Sequence, residues 1–118
     1  MPVEVFRGFF QNKGQILDDI AANNLWPLTY ISMPCEEHRL HWHETDVHAY
    51  ILNSSTWFRD GKTGEKLHVS AGDKILIPKC FPHAEGEITE DTTFIAAIPE
   101  PRSGVEILRV HFVDEEAG

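Results

Sequence analysis

The chain has 118 residues, 42% of them hydrophobic and 25% charged, with a formal net charge of −9 from 19 acidic against 10 basic side chains. That length fits one domain over residues 1–118, and the composition is globular rather than disordered. An acidic field repels phosphate backbones, and no stretch is apolar over the length a bilayer requires, so neither nucleic acid nor membrane is an expected partner.

Val3, Val5 and the pair Phe9 and Phe10 predict a short first strand. Gly14 to Leu25 is the helix candidate, because Ile16, Leu17, Ile20 and Ala21 recur at three- and four-residue spacing. Asp18 and Asp19 lie near its start and Asn23 and Asn24 near its end. Trp26 to Met33 then mixes aromatic and β-branched residues and is stopped by Pro34. Arg39 to His43 alternates, as does His48 to Leu52. Thr56 to Arg59 and Lys66 to Val69 flank Asp60-Gly61-Lys62-Thr63-Gly64, a hairpin loop in which glycine accepts positive φ. Ala71-Gly72-Asp73 reads as a turn, and Lys74 to Ile77 as a strand ended by Pro78. Thr92 to Ile98 and Val105 to Val113 are the last predicted strands, with the segment from Pro99 to Gly104 as the loop between them. An acidic tail, Asp114-Glu115-Glu116, is expected to fray. So many short strands separated by turn signals predict an all-β sandwich or barrel.

The start, Met1-Pro2-Val3-Glu4-Val5, has no basic region followed by an apolar core, so no secretory signal is expected. Cys35 and Cys80 are too few for a disulfide framework. They read as two reduced, largely buried thiols of a cytoplasmic protein. A domain this small, with Phe9, Phe10, Trp26 and Trp42 available to cover apolar surface, is expected to form a homodimer.

Histidine carries the chemistry. Of seven, His41 and His43 are two apart on a predicted strand, so both rings leave one face and can converge on one ion. Two ligands hold a metal poorly. His83, beyond the rigid turn Pro78-Lys79-Cys80-Phe81-Pro82, is the candidate for a third. The alternative is a pair that alternation turns into solvent. His38, His68 and His111 read as surface or packing residues, and Trp42 and Trp57 as core or interface aromatics. Glu44, Asp46, Glu85 and Glu87 are either solvent-facing acids or groups that orient a ligand imidazole.

The segment His41-Trp42-His43-Glu44-Thr45-Asp46-Val47-His48-Ala49-Tyr50-Ile51-Leu52 resembles the first motif of the cupin superfamily. That motif has His-x-His, three or four residues, then a glutamate, ending near a Tyr-Val-Leu-x-Gly strand. Gly72, Pro78 and His83 match the spacing of the family's second motif. The resemblance covers residues 36–90 and implies an all-β, RmlC-like cupin: a double-stranded β-helix, or jelly-roll barrel, with a short N-terminal helix. The departures are informative. Cys35 and Ser54 or Ser55 stand where the first motif has glycines, Cys80 where the second has one, and Glu87 where the second ends on asparagine. The family's glutamate ligand is missing. Counting four residues from His43 puts His48 in its place; aligning Tyr50-Ile51-Leu52 puts Val47 there instead. Histidine replaces a carboxylate ligand more readily than valine does, so the expected set is His41, His43, His48 and His83.

The resemblance implies one divalent transition metal (Fe, Mn, Ni, Cu or Zn), since imidazole suits each of them. A small-molecule substrate or ligand would bind beside it. Dioxygenase-type oxidation is one reading, and Lewis-acid isomerase or lyase chemistry is a second. A binding module without turnover is a third, and an assembly or regulatory subunit a fourth.

Overall fold

The computed structural model describes residues 2–99 and 109–113. In chain order the elements are β1 (Glu4–Phe6), α1 (Lys13–Ala22), β2 (Leu25–Ser32), β3 (His41–Trp42), β4 (Val47–Ile51), β5 (Ser55–Asp60), β6 (Lys66–Ser70), β7 (Lys74–Ile77), β8 (His83–Glu85), β9 (Thr92–Pro99) and β10 (His111–Phe112). They form two five-stranded sheets, ordered β1-β7-β4-β9-β2 and β10-β3-β8-β5-β6, with antiparallel pairing. No helix among the described residues is long and apolar enough to cross a membrane.

Period-two alternation builds two layers of core. Val47, Ala49 and Ile51 on β4, with Ile75, Ile77, Phe94, Ala96 and Ile98, meet Phe58 and Val69 between the sheets. The opposite face of the first sheet carries Tyr50, Ile95 and Ala97, which pack beneath Ile16 and Ile20 of α1. The helix therefore lies outside the sandwich, and it spans Lys13–Ala22 where Gly14 to Leu25 was expected. Asn12 caps its start by accepting the Gln15 N–H through its side chain. Asn24 takes a φ of 54°, which turns the chain into β2 before Leu25.

Two further expectations change. Both cysteines are exposed rather than buried. The strand expected over Val105 to Val113 reduces to β10 where described, and the rest of that segment and the acidic tail lie outside the described residues. Cys80 and Ser54 keep left-handed backbones, with φ of 62° and 68°. These are positions where the resemblance expects glycine, so the turn geometry survives without the residue that adopts it most easily.

Candidate metal centre

The second sheet assembles the site. His41 on β3 is paired directly with His83 on β8, and His43 follows β3. One ligand nitrogen from each of His41, His43 and His83 lies within 4.8 Å of the others, and all three residues are buried. Each ring is fixed by its Nδ1–H, which donates to a backbone carbonyl: His41 to Arg39 at 2.8 Å, His43 to Arg109 at 2.8 Å and His83 to Phe81 at 2.9 Å. A nitrogen that close to a carbonyl oxygen must carry the proton, which leaves a lone pair on Nε2 of neutral His43 and His83, whereas His41 Nε2 lies 2.9 Å from the carboxylate Oε2 of Glu85. The Nε2 atoms of His41 and His83 are shielded from solvent and have no aligned hydrogen bond.

Burial disfavours the charged form of every imidazole here. It pushes His83 down to about 4 and lowers His43. At His41 burial acts in the same direction, but the carboxylate of Glu85 outweighs it and raises the group. Burial would raise Glu85, but the neighbouring imidazoles, His41 foremost, hold it down to about 2.

A cavity of about 510 Å³ opens beside His41 and His43. Val47, Ala49, Phe58, Ile77 and Phe112 make its wall largely apolar, and Glu85 and Tyr30 supply polar groups. Burial, reinforced by the charge of Glu85, raises the Tyr30 phenol and keeps it protonated. Sequence reasoning missed Tyr30. Its parity with Leu28 on β2, both packed against the inner core, was the available signal. The Arg109 carbonyl was out of reach, since no sequence pattern reports a backbone acceptor 66 residues from its donor.

His48 does not join the cluster. Val47 faces the cavity, so its neighbour shares the outer face with Tyr50, toward α1. Burial and the nearby Lys74 charge lower His48 there. Of the four expected histidines the structure brings His41, His43 and His83 together and leaves His48 outside that group, with Val47 in the inward register. Tyr50 is also directed away from the cavity, its hydroxyl donating to Asp19. At the rim, His111 stacks on Trp42 with ring centres 4.4 Å apart and lies 2.8 Å from Glu44. Asp46 accepts the Lys79 N–H.

No protein-family model matches the sequence, and no curated protein matches it. Solved structures do. The polyketide cyclase RemF from Streptomyces resistomycificus aligns with a TM-score of 0.61 at 22% identity, over 75% of this chain and 60% of that one. A cupin-2 domain protein from Shewanella frigidimarina aligns with a TM-score of 0.55 at 18% identity, covering 66% and 72%. RmlC from Streptococcus suis, solved with dTDP-D-xylose, aligns with a TM-score of 0.57 at 14% identity, covering 95% and 69%. The chain has the cupin fold. The chain covers 60% of the cyclase's length, and at these identities the likeness carries the architecture and not the reaction.

Proposed function

We infer that this cupin binds one divalent first-row transition metal through His41, His43 and His83 and acts on a small organic molecule held in the adjoining cavity. The observation that carries the reading is the convergence of three buried rings, each tied by Nδ1 to a carbonyl, with one ring nitrogen of each within 4.8 Å of the others. Neutral imidazoles in that arrangement suit Fe, Mn, Ni, Cu or Zn. Such an ion supplies Lewis acidity or, for a redox-active metal, access to dioxygen.

The chain's own residues set the conditions. The backbone carbonyls hold the rings without adjustment on binding, which lowers the cost of assembling the centre. The apolar wall excludes water and favours a substrate with a sizeable hydrocarbon or aromatic part. Tyr30, kept protonated, is available to donate a hydrogen bond into the cavity. Dioxygenase-type oxidation is the reading we favour, because a largely apolar chamber beside imidazole donors suits oxidative chemistry on an organic substrate. The carboxylate of Glu85 on the cavity wall favours a second reading, an isomerase or lyase in which that group accepts a proton.

The same reading makes the chain a cytoplasmic homodimer. Strand β2 ends the first sheet, and it leaves Trp26 and Ile31 exposed, followed by Met33.

Oxygen uptake by the metal-loaded protein, screened over small aromatic and carbonyl compounds, tests the reaction class. Uptake that disappears in His83→Ala supports the oxygenase. Product formed without oxygen moves the assignment to the isomerase or lyase, and binding without any turnover to the binding module.

A further inference from the structure

Cys35 and Cys80 are both exposed, but their surroundings differ. Cys35 Sγ lies 3.7 Å from His38 Nε2, within hydrogen-bond reach of a sulfur donor. On the other side of the ring, His38 Nδ1 lies 3.8 Å from the Glu85 carboxylate. The backbone sets this order. The Cys35 N–H donates to the Ile88 carbonyl at 3.0 Å, and the Ile88 N–H donates back to the Cys35 carbonyl at 2.9 Å. The His38 N–H donates to the Glu85 carbonyl at 2.9 Å. Both ends of the segment from Cys35 to His38 are therefore tied to the segment from Glu85 to Ile88, which places thiol, imidazole and carboxylate in sequence. With Nδ1–H toward the carboxylate, Nε2 is left to accept from the thiol. A nucleophile, a base in contact with it and a third group that orients the base are what an activated thiol requires. Cys80 has no imidazole beside its thiol among the described residues, so the chain carries its own control.

We propose that Cys35 is a reactive thiol, activated by His38, and a modification site for the disulfides of small thiols. The Sγ–H proton passes to His38 Nε2, and the thiolate attacks one sulfur of the incoming disulfide. The reagent's S–S bond breaks as the bond to Cys35 Sγ forms. The departing thiolate takes the proton from His38 and leaves as a thiol. No further oxidant or reductant is consumed, because one disulfide is exchanged for another. The site uses none of the three converging histidines and stands whether or not they hold a metal. His38 also lines the apolar cavity and is 48% exposed, so a group added to Cys35 stands where that cavity meets solvent.

The test treats the full chain with glutathione disulfide near neutral pH and follows each cysteine by peptide mass mapping, in wild type, His38→Gln and Cys35→Ser. Circular dichroism verifies the fold of each. In wild type Cys35 is expected to form its mixed disulfide at least tenfold faster than Cys80. Cys35→Ser should lose the fast adduct and keep the slow one. His38→Gln should bring Cys35 down to the Cys80 rate and leave Cys80 itself unchanged. A structural effect of the substitution would move both cysteines, whereas loss of the base moves Cys35 alone. If His38→Gln does not fold, the ratio of the two rates in wild type decides. Equal rates at the two cysteines of wild type, a Cys35 rate that His38→Gln leaves unchanged, or a Cys35 that forms no mixed disulfide would each overturn the proposal.

Discussion

At Asp19, burial and charge pull in opposite directions. Burial favours the neutral acid, but hydrogen bonds from Lys74 and Tyr50 and the Lys74 charge prevail, so the group sits below its usual 3.8. Its partner Lys74 has a side chain only 7% exposed, with its ammonium 5.0 Å from the Phe9 ring centre and 5.5 Å from that of Tyr50. A depressed carboxyl contributes stability that is complete above the unfolded value and is lost as pH falls through the folded one. Asp19→Asn should therefore destabilise the protein by about 3 kcal/mol near neutral pH, since it strands a buried charge. The gap from wild type should close below about pH 4, as measured by urea unfolding across that range. Equal stability at neutral pH would show that the pair contributes nothing. None of this was legible in the sequence, where Asp19 reads as a helix acid and Tyr50 as a strand aromatic. Only the packing of α1 on β4 and β7 brings Asp19, Tyr50 and Lys74 together. The histidines were more legible, because a two-residue spacing on a strand fixes a shared face whatever surrounds it.

Strands decide what spacing cannot. Counting from His43 favoured His48 as a ligand, yet the pairing of β4 with β7 and β9 turns Val47, Ala49 and Ile51 inward and His48 out. A residue count across the loop between β3 and β4 carries no register information, whereas the aligned Tyr50-Ile51-Leu52 did. His48→Ala should accordingly keep the metal content of wild type by elemental analysis, and a loss matching that of His83→Ala would restore the four-histidine register. Strand β8 escaped prediction because three residues are too few to show alternation. It is nonetheless the element that carries both His83 and Glu85. Its neighbour Gly86 passes so close to β5 that an added Cβ would lie 2.3 Å from the Trp57 ring, which leaves no room for a side chain there. The helix expected over Gly14 to Leu25 is present, and it ends at Ala22 because the left-handed turn at Asn24 leads straight into β2.

For the whole molecule, the strand count and turn spacing were enough to reach an all-β sandwich or barrel, since many short strands must close over one core, and the jelly roll came from the resemblance to the cupins. The assembly was read from size and aromatic content, and the structure adds a particular surface. Ile31 on the edge strand β2 is 61% exposed. Sedimentation at micromolar concentration should give a dimer for wild type and a monomer for Ile31→Glu; a wild-type monomer would contradict the proposed pairing. What neither composition nor fold supplies is the metal, which depends on three rings held by three carbonyls from separate parts of the chain. Elemental analysis of the purified protein tests that most directly. The account predicts close to one equivalent of a first-row divalent metal per chain, with occupancy largely lost in both His41→Ala and His83→Ala. Full occupancy in both variants, or a wild-type chain that takes up no such metal when it is offered, would contradict it.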